Sequence, residues 1–274
     1  MFAVFCVIIL TGGVYMFANL ICASIAALQM ALSPAPLLNE IDMSYIIHAA
    51  GEIDGYTTTN SLEALEKSYA DGNRLIEIDF NFTSNLYAVC VHDWNYAIMP
   101  GYDKEKAKRP TVKQYRETKI YGKFTPLELD SLVDYLASHE DLYIITDCKE
   151  YNMVLARKIK EEHPKFMDRF IMQVYSEKDY KEISAFGYNK IIFTLYDLDW
   201  KTKTDTEYLV NFAKEHPVFA YTFPHELCDI DGYVENMLKS GVPLFIHTVN
   251  DKELQQKYFD MGITGIYTDN TIHS

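Results

Sequence analysis

The sequence predicts an α/β fold, a closed (β/α)8 TIM barrel, on three observations. Apolar strand-like runs alternate with helix-like runs from Tyr45 to the end, helix starts carry capping residues, and glycines sit where helices stop. Alternation of this kind implies parallel strands joined by crossover helices. Eight main strands with intervening helices over about 230 residues match one closed barrel. An open doubly wound sheet is the alternative, but no glycine-rich phosphate loop follows the first strand, which removes its commonest nucleotide-binding version.

In chain order, the strand-like runs fall at 45–49, 74–80, 86–92, 142–147, 169–175, 190–195, 217–222, 243–249 and 263–268. Runs with apolar residues three and four apart predict helices over 60–71, 126–139, 151–163, 177–186, 205–215, 230–240 and 251–261. Asn60 is expected to cap the first helix with Glu63 three residues on, and Thr125 precedes Pro126 at a predicted first helical position. Ser176 and Asn250 occupy similar strand-to-helix junctions, and Gly72, Gly187, Gly241 and Gly262 suit left-handed helix ends. Residues 93–125, rich in Tyr, Lys and Pro, break the alternation and read as an insertion after strand two, on the loop side of the barrel.

Ahead of the barrel, residues 1–39 contain no Asp, Glu, Lys or Arg. A bilayer span needs roughly 20 predominantly apolar residues, so this segment is expected to be a transmembrane or signal-anchor helix. A cleaved signal fits less well, because the basic start is missing and Pro34 follows Ala31-Leu32-Ser33. The domains expected are therefore 1–39 as anchor and linker and 40–274 as the barrel. With Glu40 and Asp42 next to the span and no Lys or Arg before Lys67, the barrel is expected outside the cytoplasm, membrane-anchored, or secreted if the leader is removed.

Composition bounds the partners. Hydrophobic residues make up 49% and charged residues 23%, as in globular proteins, and the net charge is −14. That acid excess argues against nucleic acid as the main partner, since backbone phosphates need a basic face. Phosphate substrates are not excluded, because a divalent cation supplies positive charge locally. Cys90, Cys148 and Cys228 are isolated and do not read as a disulfide framework.

The sharpest chemical signal is Arg74-Leu-Ile-Glu77-Ile-Asp79-Phe-Asn81. Residues two apart share a strand face, so Glu77 and Asp79 point together while Ile76, Ile78 and Phe80 point away. Helices cover the outside of a parallel barrel, which sends the carboxylates inward. Two unpaired buried carboxylates would be costly, and a divalent cation, Mg²⁺ or Ca²⁺, satisfies both. Asp147 and Lys149 project together from another strand end. Asp147 could complete a metal site and Lys149 could neutralise a phosphate oxygen, although a structural ion pair explains this pair equally well in isolation. His48 and His92 each close a strand-like run, and imidazole suits proton transfer near neutral pH. His139, His163 and His216 sit near predicted helix C-termini, where the helix dipole explains them. His225 is a possible pocket residue, and His247 is left facing either way.

The order of these motifs resembles the glycerophosphodiester phosphodiesterase family, within the superfamily that includes phosphatidylinositol-specific phospholipase C. The matching stretches are His48-Ala-Ala-Gly51, Asn60-Ser-Leu62, Glu77-Ile-Asp79, His92-Asp93, Thr125-Pro126-Leu127, Asp147-Cys-Lys149, Thr248-Val-Asn250 and Gly265-Ile-Tyr-Thr268-Asp269. The resemblance implies a metal-dependent phosphodiesterase that cleaves a glycerophosphodiester to an alcohol and glycerol phosphate. It implies Glu77, Asp79 and Asp147 as ligands of a divalent cation, His48 and His92 as catalytic acid and base, and Lys149 on the phosphate. Three positions depart from the family pattern: Ala49 replaces an Arg, Asp147 replaces a Glu, and His247 stands where an aromatic is expected before Thr-Val-Asn. The implied partner is a small phosphodiester or a phospholipid-derived substrate. A phospholipase-type enzyme, a hydrolase of a cell-surface phosphate polymer, and a non-catalytic phosphate- or glycan-binding module are the competing functions.

Overall fold

The computed structural model describes residues 38–92, 94 and 109–270. The expected anchor helix, and residues 93 and 95–108 of the insertion, lie outside the described residues. Among the described residues no helix is long and apolar enough to cross a membrane.

Eight parallel strands form the barrel: β1 (Tyr45–Ile47), β2 (Leu75–Phe82), β4 (Tyr143–Asp147), β5 (Phe170–Val174), β6 (Ile191–Thr194), β7 (Ala220–Pro224), β8 (Leu244–His247) and β9 (Gly265–Thr268). The sheet runs β1-β9-β8-β7-β6-β5-β4-β2 and closes by pairing of β1 with β2, Ile47 against Ile76. The third strand-like run, 86–92, is not a barrel stave. β3 (Ala88–Cys90) turns back antiparallel on the end of β2, with Phe80 opposite Cys90. The insertion then leaves from β3.

The helices are α1 (Leu62–Ala70), α2 (Val112–Arg116), α3 (Leu129–Ala137), α4 (Asn152–Glu162), α5 (Glu177–Ala185), α6 (Trp200–Thr204), α7 (Thr206–Glu215), α8 (Tyr233–Leu238) and α9 (Lys252–Asp260). Seven of them answer to the seven predicted helical runs. α2 and α6 are additional, because five-residue helices are too short to present a helical period. α2 is fixed by a capping box between Thr111 and Gln114. It packs over Val89, Val91 and Trp94 through Tyr115, so residues 109–125 carry ordered structure where the sequence pattern suggested none.

Three cap expectations are corrected. Ser61, not Asn60, caps α1, accepting from Ala64 N. Asp251, not Asn250, caps α9. α3 begins at Leu129 rather than Pro126, because Leu127 O is taken by Cys90 N and Pro126 bridges to Ser61. Ser176 caps α5 as expected, and Gly72, Gly187, Gly241 and Gly262 all take positive φ.

Strand parity sorts the core into two layers. Ile76, Ile78 and Phe80 pack outward among the helices. Leu75, Tyr143, Ile145, Ile171, Ile192, Ala220 and Phe245 fill the barrel interior. Each fully buried aliphatic side chain contributes about 1.5–3 kcal/mol. Above this apolar plug the inward positions turn polar, and that change places the site at the C-terminal mouth.

Candidate active site

Because Leu75 faces inward, Glu77 and Asp79 do too, and both are almost fully buried. Asp79 and Asp147 are direct register partners on β2 and β4. Glu77, Asp79 and Asp147 each offer a carboxylate oxygen, and these atoms lie within 4.8 Å of one another.

The turn after β1 serves this cluster. His48–Ala50 forms a 3-10 turn, with Ala49 at φ 48 and Ala50 at φ 68. Left-handed backbone costs a non-glycine residue roughly 1–2 kcal/mol. The turn aims Ala49 N at Glu77 Oε2, 2.7 Å away. Gly51 completes it at φ 93, where a Cβ would sit 2.6 Å from Ser68 Oγ. The Ala49 side chain is fully buried.

The other carboxylates are held from neighbouring elements. Asn60 Nδ2 donates to Asp79 Oδ2 at 2.8 Å, and Asn60 Oδ1 accepts from Asp79 N at 3.0 Å. Asn60 is thus an orienting group rather than a helix cap, a role that only the approach of the loop to β2 reveals. Tyr175 OH donates to Asp147 Oδ1. Glu77 Oε1 is buried with no hydrogen-bond partner. Burial, with the adjacent Asp79 charge, pushes Glu77 well above the usual carboxylate range and Asp147 up to about 6. Three close carboxylates, one with an orphaned oxygen, form a hard-oxygen set that fits a divalent cation.

His48 Nδ1 pairs with Asp269 Oδ1 at 2.8 Å. Asp269 is in turn held by Asn250, through Nδ2 at 2.7 Å and through Oδ1 to its own backbone N–H at 2.8 Å. Burial opposes charge on His48, but the Asp269 hydrogen bond and the charges of Glu77, Asp79 and Asp269 outweigh it and raise the imidazole to about 9. Asp269 and Asn250 belong to quoted sequence motifs, yet no pattern in the sequence ties them to His48.

A cavity of about 160 Å³ opens on this cluster. All six sequence-predicted residues line it: His48, Glu77, Asp79, His92, Asp147 and Lys149. A second space of about 220 Å³ shares Asp79, His92, Asp147 and Lys149 and extends over Asn81 and Tyr151. Lys149 is the one Lys or Arg among the described lining residues of the first cavity. Burial works against its charge, but Asp147, Asp79 and Asp197 hold its pKa above the ordinary value.

The remaining wall is neutral: Thr248 and Tyr267 lie in quoted motifs but were given no role, and Gln173, Tyr175, Thr194 and Tyr196 escaped the sequence analysis. Gln173, Tyr175, Thr194, Tyr196 and Tyr267 carry no charge pattern and become visible only by inward parity along β5, β6 and β9. His247 also faces inward. His225 does not line the cavity; its Nδ1 meets Tyr258 OH at 3.3 Å, away from the carboxylates.

The chain matches the model of the glycerophosphoryl diester phosphodiesterase family over residues 53–273. Among solved structures, a glycerophosphodiester phosphodiesterase from Thermotoga maritima is 21% identical with a TM-score of 0.66, covering 82% of this chain and 93% of that one. One from Parabacteroides distasonis is 18% identical with a TM-score of 0.65, covering 84% and 93%. An Oleispira antarctica phosphodiesterase, solved with the product sn-glycerol-3-phosphate, is 14% identical with a TM-score of 0.61, covering 82% and 92%. No curated protein sequence gives a significant match. These structural likenesses establish the shared barrel, and the sequence match extends from the loop after β1 to beyond β9. The chain therefore belongs to the glycerophosphoryl diester phosphodiesterase family of phosphoric diester hydrolases.

Proposed function

We propose that the chain is a cation-dependent hydrolase that cleaves a glycerophosphodiester to an alcohol and glycerol phosphate, with His48 and His92 as its acid/base pair. The observation that carries this reading is the meeting of three carboxylates, two imidazoles and one ammonium at a single cavity. Glu77, Asp79 and Asp147 would hold the cation, Mg²⁺ or Ca²⁺, with Glu77 Oε1 finding there the partner it otherwise lacks. When bound, the cation supplies Lewis-acid polarisation of a non-bridging phosphoryl oxygen.

The chain's own residues carry the proton chemistry and positioning. Lys149 sets its ammonium against the phosphate, the role in which the buried Ala49 has nothing to offer. Asp269 engages His48 at Nδ1, which leaves Nε2 for proton transfer. One imidazole takes the proton of the nucleophile as the new P–O bond forms, and the other protonates the alcohol as the old P–O bond breaks. Where the substrate carries a neighbouring hydroxyl, that group can attack first and give a cyclic phosphate, which water then opens. The two spaces, which share Asp79, His92, Asp147 and Lys149, would offer room for the two alcohol groups of a diester. The product complex of the Oleispira antarctica relative supports a small glycerol-containing substrate. In this reading residues 40–274 form the catalytic domain and the apolar segment 1–39 lies outside it.

Product analysis tests the reading with glycerophosphocholine, a lysolipid and a polyglycerol phosphate, each with Mg²⁺, Ca²⁺ or chelator. The expected result is glycerol phosphate from the first substrate, abolished by chelator. Turnover confined to the lysolipid or the polymer would move the assignment to a phospholipase or a polymer hydrolase. Cation-dependent binding with no product from any of the three would leave a binding module.

A further inference from the structure

Each of the three site carboxylates has one oxygen committed to a donor of the chain. Glu77 Oε2 accepts from Ala49 N at 2.7 Å, while Oε1 is buried without a partner. Asp79 Oδ2 accepts from Asn60 Nδ2 at 2.8 Å. Asp147 Oδ1 accepts from Tyr175 OH. Asp147 is one methylene shorter than the Glu of the family pattern and lies opposite Asp79 in the strand register. Tyr175 follows β5 directly, with the same inward parity as Gln173, and both are buried. Its phenol oxygen lies between Asp147 and Gln173, whose Nε2 is 3.4 Å away. Gln173 is anchored in turn by Tyr267 OH, 3.2 Å from its Oε1. A carboxylate only accepts, so the one Tyr175 proton goes to Asp147.

This pattern bears on which cation the site takes. Mg²⁺ binds in a tight octahedron at about 2.0–2.1 Å and keeps several waters, so single carboxylate oxygens suit it. Ca²⁺ takes about six to eight oxygens at about 2.3–2.6 Å, and bidentate carboxylates help it reach that number. A hydrogen-bonded oxygen keeps a second lone pair, but chelation through it must compete with a charge-assisted hydrogen bond. The donors therefore penalise the bidentate mode and leave the monodentate mode alone. Among the described residues lining the cavity there is no fourth carboxylate, and Glu150 of the adjoining space is tied to Arg109. We infer that Tyr175 is a positioning residue that restricts Asp147 to one available oxygen, and that with the Ala49 amide and Asn60 it makes the site selective for Mg²⁺ over Ca²⁺. This inference rests on the phosphodiesterase reading and narrows the cation of that same site.

Two measurements on the full chain, stripped of metal with chelator and free of substrate, test it. Calorimetric titration is expected to show Ca²⁺ binding no tighter than Mg²⁺ in the unaltered protein. Tyr175→Phe keeps the ring and removes the donor, so the affinity for Ca²⁺ is expected to rise relative to that for Mg²⁺ by about tenfold, the size of one hydrogen bond to a charged group. Equal weakening of both cations, as a merely structural tyrosine would give, overturns the inference, and so does an unchanged ratio. Infrared difference spectra of the unaltered protein, with and without Mg²⁺, need no variant to fold. A monodentate carboxylate shows a wide gap between its antisymmetric and symmetric stretches, and a bidentate one a narrow gap. Wide gaps are expected, and narrow gaps with Mg²⁺ would overturn the inference. Ca²⁺ bound more tightly than Mg²⁺ sinks this inference alone, because either cation can serve hydrolysis. Binding of neither sinks it together with the cation-dependent phosphodiesterase reading.

Discussion

The two oxygens of Glu77 have opposite fates: Oε2 takes the Ala49 amide at 2.7 Å, and Oε1 is buried with no partner. A buried unpaired carboxylate oxygen is expensive, so Glu77→Gln is expected to weaken cation affinity strongly while the barrel still folds. Isothermal titration with Mg²⁺ and Ca²⁺ measures this, and an unchanged isotherm would remove Glu77 from the ligand set. His92→Ala separates chemistry from binding. Loss of general acid–base catalysis typically costs about 10²–10⁴ in rate, so kcat should fall by that order while the cation isotherm is retained. Asp269→Asn addresses the other imidazole. Burial alone would lower His48, and the raised value of about 9 depends first on the Asp269 hydrogen bond. In the cation-free protein, NMR titration of His48 should therefore move down in Asp269→Asn. The sign for stability follows: a raised histidine stabilises the fold fully below its unfolded value near 6.5, and that contribution is lost as pH rises through about 9.

At the scale of elements, the barrel staves supply parity and the βα loops supply function. The loop from β1 to α1 places His48, the Ala49 amide and Asn60 around the same two carboxylates. Its geometry depends on Gly51, where φ is 93 and a Cβ would meet Ser68 Oγ at 2.6 Å and Ile47 Cγ2 at 2.9 Å. Gly51→Ala is expected to cost about 1–3 kcal/mol from backbone strain, with further cost from the close contacts. Urea denaturation gives that value, and a loss below about 0.5 kcal/mol would mean the turn relaxes without penalty. The departures from the predicted caps share one cause. Asn60 and Asn250 are good capping residues by type, but each donates its amide to a carboxylate instead, Asn60 to Asp79 and Asn250 to Asp269. The neighbours Ser61 and Asp251 take over the helix ends instead.

For the whole molecule, the carboxylate cluster couples cation binding to fold stability. Without a cation, burial and the Asp79 charge raise Asp147 to about 6, and Glu77 also rises. Between the ordinary value of 3.8 and about 6, the folded chain holds a proton that the unfolded chain releases, so these groups lose stabilising effect as pH rises. A cation favours the ionised forms and reverses the trend. The expected result is a stabilisation on adding Mg²⁺ or Ca²⁺, about 2.7 kcal/mol at a hundredfold excess over Kd and read as a rise in Tm, that is larger at pH 7.5 than at pH 4.5. An equal rise at both pH values would place the cation elsewhere. The sequence by itself determined the eight-stave barrel, the inward face of Glu77 and Asp79, and the six charged or titratable residues at its mouth. Strand period and sign of charge are local properties, written within a few neighbouring residues. Only the tertiary structure decided that the third strand-like run pairs back as a hairpin, that Asn60 orients a carboxylate rather than capping a helix, that Asp269 pairs with the His48 imidazole, and that His247 faces the cavity. Those outcomes depend on which side chain arrives next to which across the closed barrel. Among neutral groups such as Gln173, Tyr175 and Tyr267, nothing in the order of residues marks the meeting beforehand.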